Sequence, residues 1–277
     1  MKKIRKIKKI KWNNIIVFIL LIILCTVFII SIKNIIKWNN DNKKLNKQID
    51  NIEKSTIVND VEDNNNTEII NQNEDIPSSN PYWDYIKMNL IDVDFTDLKE
   101  QNSDVIGWIQ VNGTNINYPF VQTNNNSYYL THAFDKSYND AGWVFLDFRN
   151  TNTQNKNTII YAHSRLDKTM FGTLRKIMTN GWLNNTNNYI IKISTEKENT
   201  LWQVFSTYVI PNTNDYIQTD FDSDEEFINF LNMIKNRSQH NFNTKINSND
   251  NILTLSTCYN DNEKTVVHAK LIKREIK

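Results

Sequence analysis

Cys258 and four histidines are the residues with the clearest capacity for chemistry in this sequence. Cys258 lies two residues after the apolar stretch Ile252–Ser256, where a side chain leaves a predicted strand. A free thiol is mostly protonated near neutral pH, so a catalytic cysteine needs a base or a cation beside it. An unpaired thiol can also be a small buried apolar group or form an intermolecular disulfide. The residue alone leaves these alternatives open.

His163 is the first choice among the histidines as a partner for Cys258. It follows the strand pattern of Asn157–Tyr161, which again brings a titratable group to the end of a strand. His268 lies within an apolar strand pattern and is expected to be a hydrogen-bonded structural residue, whereas His132 and His240 lie in polar, loop-like surroundings. The spacings of zinc sites, such as Cys-x-x-Cys, do not occur, so we expect neither a metal nor another cofactor.

The N-terminal segment predicts a membrane anchor. Residues 1–11 contain seven Lys or Arg and no acid, and Ile15–Ile32 is an uncharged run of 18 residues. A helix of that length can cross the hydrocarbon core, and the basic cluster before it favours a cytoplasmic N-terminus. Bulky residues continue after the run, so we expect an uncleaved anchor at residues 15–36 after a cytoplasmic tail at 1–14. A cleaved signal peptide is the alternative.

The remainder of the chain is therefore expected outside the cytoplasm at the cell membrane. Residues 38–277 carry 23 basic and 31 acidic side chains, a balance that argues against a nucleic acid partner. Cys25 lies inside the predicted span, so Cys258 has no intramolecular partner.

Residues 37–80 are interpreted as a stalk followed by a disordered, Asn-rich linker, because large apolar residues are sparse there.

Residues 81–277 are long enough for one domain with a substantial core. Their periodicity of two predicts a mainly β fold with peripheral helices, and seven or eight strands favour a closed barrel. The predicted strands are Val105–Val111, Gly142–Asp147, Thr158–His163, Tyr189–Ser194, Leu201–Val209, Ile252–Ser256 and Val266–Lys273. The predicted helices are Pro81–Asn89, Phe95–Asn102 with Thr96 as a cap, Phe171–Met178, and one that Ser223 caps and that runs to about Arg237.

Several motifs in order resemble the class B sortases across residues 81–277. They are Gly107-Trp-Ile, Tyr118-Pro-Phe-Val-Gln122, Asn126-Ser-Tyr-Tyr-Leu130, Gly142-Trp-Val-Phe-Leu-Asp147, Ile159-Ile-Tyr-Ala-His163, Met170-Phe-Gly-Thr-Leu174, Thr254-Leu-Ser-Thr-Cys258 and Val266-Val-His-Ala-Lys-Leu271. The resemblance implies an eight-stranded sortase-type barrel and a cysteine transpeptidase.

The implied reaction cuts the sorting signal of a surface protein, of the Asn-Pro-x-Thr type, after the threonine. Cys258 would form a thioacyl intermediate with His163 as acid and base, and an amine of a peptidoglycan precursor or cross-bridge would accept the acyl group. The family has a catalytic arginine where this sequence has Lys264. A lysine offers a mobile point charge in place of two fixed donors, so the exchange changes the chemistry.

The resemblance also implies substrate contacts at Asn126, Leu130, Ser256, Tyr216 and Ile217. Leu130 and Ile217 can equally be core residues, and Asn126 can belong to a turn. Other functions stay open from the sequence: a pilin-polymerising sortase, a surface cysteine protease or amidase, or a tethered binding domain without catalysis.

Overall fold

The computed structural model describes residues 12–70, 76–150, 155–260 and 262–277. The chain divides into two compact units, Met1–Asn46 and Lys47–Lys277, which we describe separately. Helix α1, Trp12–Ser55, carries the predicted anchor and continues through the predicted stalk. By length and composition α1 can cross a membrane: an 18-residue window has a mean hydropathy of 3.5 and is not buried. Residues 1–11 of the predicted cytoplasmic tail lie outside the described residues.

The second unit is built mainly of strands, as the period-two patterns predict. Within the described residues they are β1 (Val58–Val61), β2 (Thr67–Ile69), β3 (Leu90–Val93), β4 (Val105–Val111), β5 (Asn117–Val121), β6 (Phe145–Leu146), β7 (Asn157–Tyr161), β8 (Ile190–Thr195), β9 (Glu198–Pro211), β10 (Ile252–Cys258) and β11 (Glu263–Ile276).

Eight of these strands close into a barrel. The order is β10-β7-β6-β5-β4-β8-β9-β11, and an additional pairing of β11 with β10 closes the circle. The β7–β10 pair is parallel, and so is the single contact of β5 with β6, whereas the other barrel pairs are antiparallel. The closed, eight-stranded mixed barrel confirms the predicted fold class.

Short helices surround the barrel: α2 (Tyr82–Tyr85), α3 (Thr96–Gln101), α4 (Asn180–Leu183) and α5 (Asp224–Asn236). The Ser223 hydroxyl accepts a hydrogen bond from the Glu226 N–H at 3.1 Å, which confirms the predicted cap of α5. The apolar face of α5 packs against β9, with Phe227, Phe230 and Leu231 in one cluster with Phe205 and Tyr208.

Two predicted helices and one predicted cap differ from the structure. The prediction of Thr96 as a cap is wrong, because Thr96 donates through both its N–H and its hydroxyl to the carboxylate of Asp94. The helix predicted at Pro81–Asn89 is only the four-residue α2, and Phe171–Met178 contains a 3₁₀ helix, Leu174–Met178.

The sequence patterns also misjudge two neighbouring strands. β5 went unpredicted because Pro119 interrupts its pattern, yet β5 forms a ladder with β4, and the Pro119 carbonyl accepts from Trp143 Nε1. The strand predicted at Gly142–Asp147 is confined to the two residues of β6, and Gly142 itself has a φ of +61°, which is outside the extended region.

The prediction of a disordered linker does not hold for residues 58–69. β1 pairs with β3, and β2 pairs with the end of β11. The ammonium of Lys273, whose side chain is fully buried, donates at 2.7 Å to the Asp63 carboxylate and at 2.7 Å to the Met88 carbonyl. Backbone pairing and the ion pair of Asp63 with the buried Lys273 therefore order a segment that has few apolar residues, and the domain begins before residue 81. Residues 71–75 of the predicted linker lie outside the described residues.

Candidate active site

Cys258 and His163 lie at the ends of two adjacent parallel strands. The register of β10 and β7 pairs Ser256 with Tyr161, and the two catalytic candidates each follow two residues later. The Thr257 hydroxyl donates to the Ala162 carbonyl at 2.7 Å and extends the link between the two chains. Parallel strands end at the same edge of a sheet, so this topology brings a thiol and an imidazole to one edge of the barrel.

Lys264 contacts the sulfur of Cys258. The two residues are paired across the hairpin formed by β10 and β11, and the Lys264 Nζ donates to the Cys258 Sγ at 3.2 Å. Both residues are half-buried. The contact therefore places a positively charged side chain against the sulfur.

The imidazole of His163 is held by a main-chain carbonyl. Its Nε2 atom lies 2.8 Å from the carbonyl oxygen of Leu130, at the end of a 3₁₀ helix, Tyr128–Leu130. A carbonyl oxygen can only accept, so Nε2 carries the hydrogen. In the neutral imidazole, Nδ1 is then the nitrogen that takes up a proton.

Three of the residues predicted to contact substrate, Asn126, Tyr216 and Ser256, have side chains that hydrogen-bond within the protein. Asn126 donates to Asp147 at 3.0 Å and accepts from the Phe148 N–H at 2.9 Å. Tyr216 and Ser256 are both buried, and their hydroxyls lie 2.9 Å apart.

Leu130 and Ile217 differ in exposure. The Leu130 side chain is 37% exposed beside His163, whereas Ile217 packs partly buried against the α5 cluster. Among these five predicted residues, Leu130 is the one with an exposed apolar side chain at the edge that carries Cys258 and His163.

Comparison with known proteins identifies the family. A model of the sortase domain matches residues 109–272. The chain belongs to the sortase family. It is 36% identical over 184 residues to sortase B of Staphylococcus aureus, an alignment that covers 65% of this chain and 75% of that protein. It is 33% identical over 183 residues to sortase B of Listeria monocytogenes, with coverage of 64% and 74%. These relatives support class B.

Solved sortase structures share the fold. A sortase B structure from Bacillus anthracis, in complex with AAEK2, superposes with a TM-score of 0.65 at 32% identity and covers 86% of this chain and 98% of its own. A sortase B–substrate complex from Staphylococcus aureus gives a TM-score of 0.60 at 36% identity, with coverage of 65% and 84%. Sortases are cysteine transpeptidases, so the chain belongs to a family of acyl-transfer enzymes.

This sortase contains a buried polar network that sequence reasoning missed. The side chain of Asp147 is fully buried and accepts two hydrogen bonds from the Arg149 guanidinium and one from the Tyr161 hydroxyl. Arg149 also donates to the Ile217 carbonyl at 2.9 Å. Because Asn126 bonds to the same carboxylate, the network connects the strand that leads to His163 with two segments proposed to contact substrate.

The charge state of this network follows from its hydrogen bonds. Burial alone raises the pKa of Asp147, but the hydrogen bonds from Arg149 and Tyr161 outweigh burial and hold that pKa below its usual range. The pKa of Tyr161 is raised by burial and by the neighbouring Asp147 carboxylate, so Tyr161 stays a neutral donor. The motif that ends at Asp147 is part of the sequence resemblance. The ion pair of Asp147 with Arg149 could not be predicted, because it produces no periodic pattern in the sequence.

Arg175 is a second residue that sequence reasoning missed. Its guanidinium donates to the carbonyl of Tyr259, the residue after Cys258, and lies 5.3 Å from the centre of the Tyr259 ring. Arg175 therefore restrains the start of the turn that joins Cys258 to Lys264.

His268 is a structural histidine, as its strand position predicts. The Tyr208 hydroxyl lies 2.8 Å from Nε2, and the Thr254 hydroxyl lies 2.9 Å from Nδ1. Thr254 donates its hydrogen to Asn157, so it accepts from His268 Nδ1–H, and Tyr208 donates to Nε2. Burial, assisted by the charge of Arg237, lowers the pKa of His268 to about 3, and the ring is neutral in the folded protein.

Proposed function

We propose that this chain is a membrane-anchored class B sortase that cuts an Asn-Pro-x-Thr-like sorting signal after threonine and transfers the acyl group to a cell-wall amine. Residues 15–36 would anchor it, with the N-terminus in the cytoplasm and the catalytic domain outside. Its partners would be a surface protein that bears the signal and a peptidoglycan precursor or cross-bridge amine. The observation that carries the proposal is the contact of Lys264 with Cys258 at the strand edge that also holds His163.

The first half-reaction forms the thioacyl enzyme. The Cys258 thiolate attacks the threonine carbonyl, and the carbonyl electron pair moves to the oxygen. As this pair returns, the bond between carbon and nitrogen breaks, and the His163 imidazolium gives its proton to the leaving amine. The products are a thioester on Cys258, a free amine and a neutral His163.

The second half-reaction reverses these roles. Neutral His163 takes a proton from the incoming amine, which attacks the thioester carbonyl. The bond between carbon and sulfur then breaks, an amide forms, and Cys258 returns to the thiolate. Water in place of the amine would give hydrolysis by the same steps.

Lys264 is proposed to stabilise both negative charges of the cycle. The oxyanion is the oxygen attached to the carbon that becomes bonded to Cys258 Sγ, so an ammonium 3.2 Å from that sulfur needs only a small movement to reach it. A flexible lysine with a single compact charge suits this movement, whereas an arginine would hold a fixed pair of donors. Charge stabilisation of this kind is a large contribution to acyl-transfer catalysis.

The sorting signal is proposed to contact the exposed side chain of Leu130. Asn126, Tyr216, Ile217 and Ser256 are proposed to form the walls of the groove, and the buried hydroxyl pair of Tyr216 and Ser256 supports a shaping role.

The proposal is tested with the full chain in detergent. The protein is mixed with a library of peptides that contain Asn-Pro-x-Thr, with and without triglycine as acceptor, and the products are identified by mass spectrometry. We expect cleavage after threonine and a new amide to triglycine. Hydrolysis alone at every acceptor concentration would indicate a protease, and binding without cleavage would indicate a tethered binding domain.

A further inference from the structure

His163 meets two segments of main chain that precede it in sequence by 20 residues or more. Its Nε2 atom donates to the Leu130 carbonyl at 2.8 Å. Gly142 lies against the same place, because a Cβ atom there would be 3.0 Å from His163 Cδ2 and 3.0 Å from the Leu130 oxygen. The imidazole therefore fits between a carbonyl group and a glycine.

Gly142 cannot be exchanged for another residue without displacing these groups. A Cβ atom at Gly142 would lie 2.4 Å from the Tyr129 oxygen, a distance that real side chains do not reach. That oxygen belongs to the main chain and is already bound by the Trp143 N–H at 2.9 Å, so it cannot move aside freely. Gly142 also has a φ of +61°, which disfavours any L side chain.

The main chain of His163 is held independently of its side chain. The Phe171 N–H donates to the His163 carbonyl at 3.0 Å, and Ser164 and Met170 form a bridge. Because the backbone of His163 is held, the main remaining movement is rotation of its ring. The hydrogen bond to the Leu130 carbonyl restricts that rotation. A histidine that exchanges protons with a substrate must present the correct nitrogen, and a group bonded to its other nitrogen selects it.

We propose that the Leu130 carbonyl selects the Nε2–H tautomer of His163, and that Gly142 is a positioning residue that keeps this carbonyl in contact with the ring. Nδ1 is then the atom that gives a proton to the leaving amine and takes one from the acceptor. This assignment rests on the proposed role of His163 as acid and base. A side chain at position 142 would separate the ring from the carbonyl and lower kcat more than it raises KM.

Three alanine variants of the full chain in detergent test the proposal. Gly142→Ala introduces the clash. Gly113→Ala introduces a Cβ at a φ of +71° in the β4–β5 turn, where it meets the Asn188 side chain, and controls for backbone strain. Gly181→Ala places a Cβ where no atom lies within 4 Å and controls for the substitution itself. We expect kcat to fall by about 10- to 100-fold in Gly142→Ala with KM within a factor of two, while both control variants keep kcat.

The tautomer is measured separately by ¹⁵N NMR of the histidine side chains, with His163→Gln identifying the His163 signals. At a pH where the His163 imidazole is neutral, the wild type should show a protonated Nε2 and an unprotonated Nδ1. Gly142→Ala should shift these signals toward a mixture of the two tautomers. An Nδ1–H tautomer in the wild type would overturn the proposal, whether or not Gly142→Ala folds. Unchanged His163 signals and kcat in a folded Gly142→Ala protein would overturn the role of Gly142.

The two proposals fail in distinguishable ways. If the wild type has the Nε2–H tautomer but transfers no peptide, the proposed function fails and the positioning of His163 stands. If peptide is transferred and Gly142→Ala behaves like the control variants, the positioning fails and the transpeptidase stands.

Discussion

The Nζ atom of Lys264 lies 3.2 Å from the Sγ atom of Cys258, and β-sheet register pairs the two residues directly across the β10–β11 hairpin. A single antiparallel residue pair is therefore sufficient to bring the lysine ammonium to the sulfur. The pairing also explains how a lysine can stand where the family resemblance implies an arginine. The shorter, more mobile charge is already in contact with the proposed nucleophile.

Removal of the charge at residue 264 should slow both alkylation and transfer. We expect Lys264→Met to lower kcat/KM for peptide transfer by about 100-fold, the scale for loss of one oxyanion donor. Lys264→Arg keeps the charge and should retain most activity. The rate of Cys258 alkylation by iodoacetamide at neutral pH should fall in Lys264→Met only. Lys87→Met, which removes an exposed lysine paired with Asp84, is the control, and full transfer by Lys264→Met would exclude the catalytic role.

Arg149 should contribute to both stability and substrate affinity. Arg149→Ala leaves the buried Asp147 carboxylate with fewer donors, and we expect a loss of about 1–3 kcal/mol in the free energy of unfolding, because Arg149 is itself partly exposed. The lost bond to the Ile217 carbonyl should raise KM for the peptide more than it lowers kcat. Urea unfolding and steady-state kinetics measure the two effects. Tyr161→Phe removes one donor and should lower the free energy of unfolding by less than Arg149→Ala does. Equal losses of unfolding free energy in the two variants would contradict this order.

His268 should make the protein less stable in acid. Because its folded pKa is about 3 and an unfolded histidine titrates near 6.5, only the unfolded state gains a proton between these values. Stability is fully present above about pH 6.5 and is lost as pH falls toward 3. From pH 7 to pH 5 this residue alone should remove about 2 kcal/mol from the free energy of unfolding.

Urea unfolding of wild type and His268→Gln at both pH values isolates this effect. The variant should be less stable at pH 7 but should lose about 2 kcal/mol less between pH 7 and pH 5. His240→Gln, which removes a half-buried histidine, is measured alongside as the control. An unchanged pH dependence in His268→Gln would show that folding does not lower the pKa of His268.

The segment that carries β1 and β2 should stabilise the catalytic domain. A chain that begins at residue 81 loses β2, the contact of Asp63 with the buried Lys273, and the contact of Asn64 with Glu275. We expect it to unfold at lower urea concentration than a chain that begins at residue 47. Asp63→Asn in the longer chain should account for about 1 kcal/mol, since Asp63 is half-exposed. Equal stability of the two chains would restore the linker interpretation.

The ends of the predicted strands were sufficient to select the proposed catalytic pair. Cys258 and His163 each follow an apolar strand pattern, and a closed barrel with parallel β7 and β10 is sufficient to bring them to one edge. The partner of His163 could not be found in the same way. It is a main-chain carbonyl of Leu130, and every residue has one, so no side-chain pattern marks it.

The linker and the substrate residues show a second limit of sequence patterns. Apolar content predicts burial, but β2 is ordered by backbone pairing with β11 and by charged side chains, which composition does not record. Asn126 stays a proposed groove residue, and the sequence pattern does not reveal that its amide bonds to Asp147. A polar side chain near a groove can face the substrate, or it can hydrogen-bond to residues that hold the groove wall in place. Only the partner atoms in the structure distinguish these two positions.

Intact-protein mass spectrometry of an acid-quenched reaction between the full chain and an Asn-Pro-x-Thr peptide tests the central claim most directly. We predict an adduct whose mass equals the peptide through its threonine, attached to Cys258, removed by hydroxylamine and absent in Cys258→Ala. Continued cleavage of the peptide by Cys258→Ala, or an adduct on another residue, would contradict the assignment of Cys258 as the nucleophile.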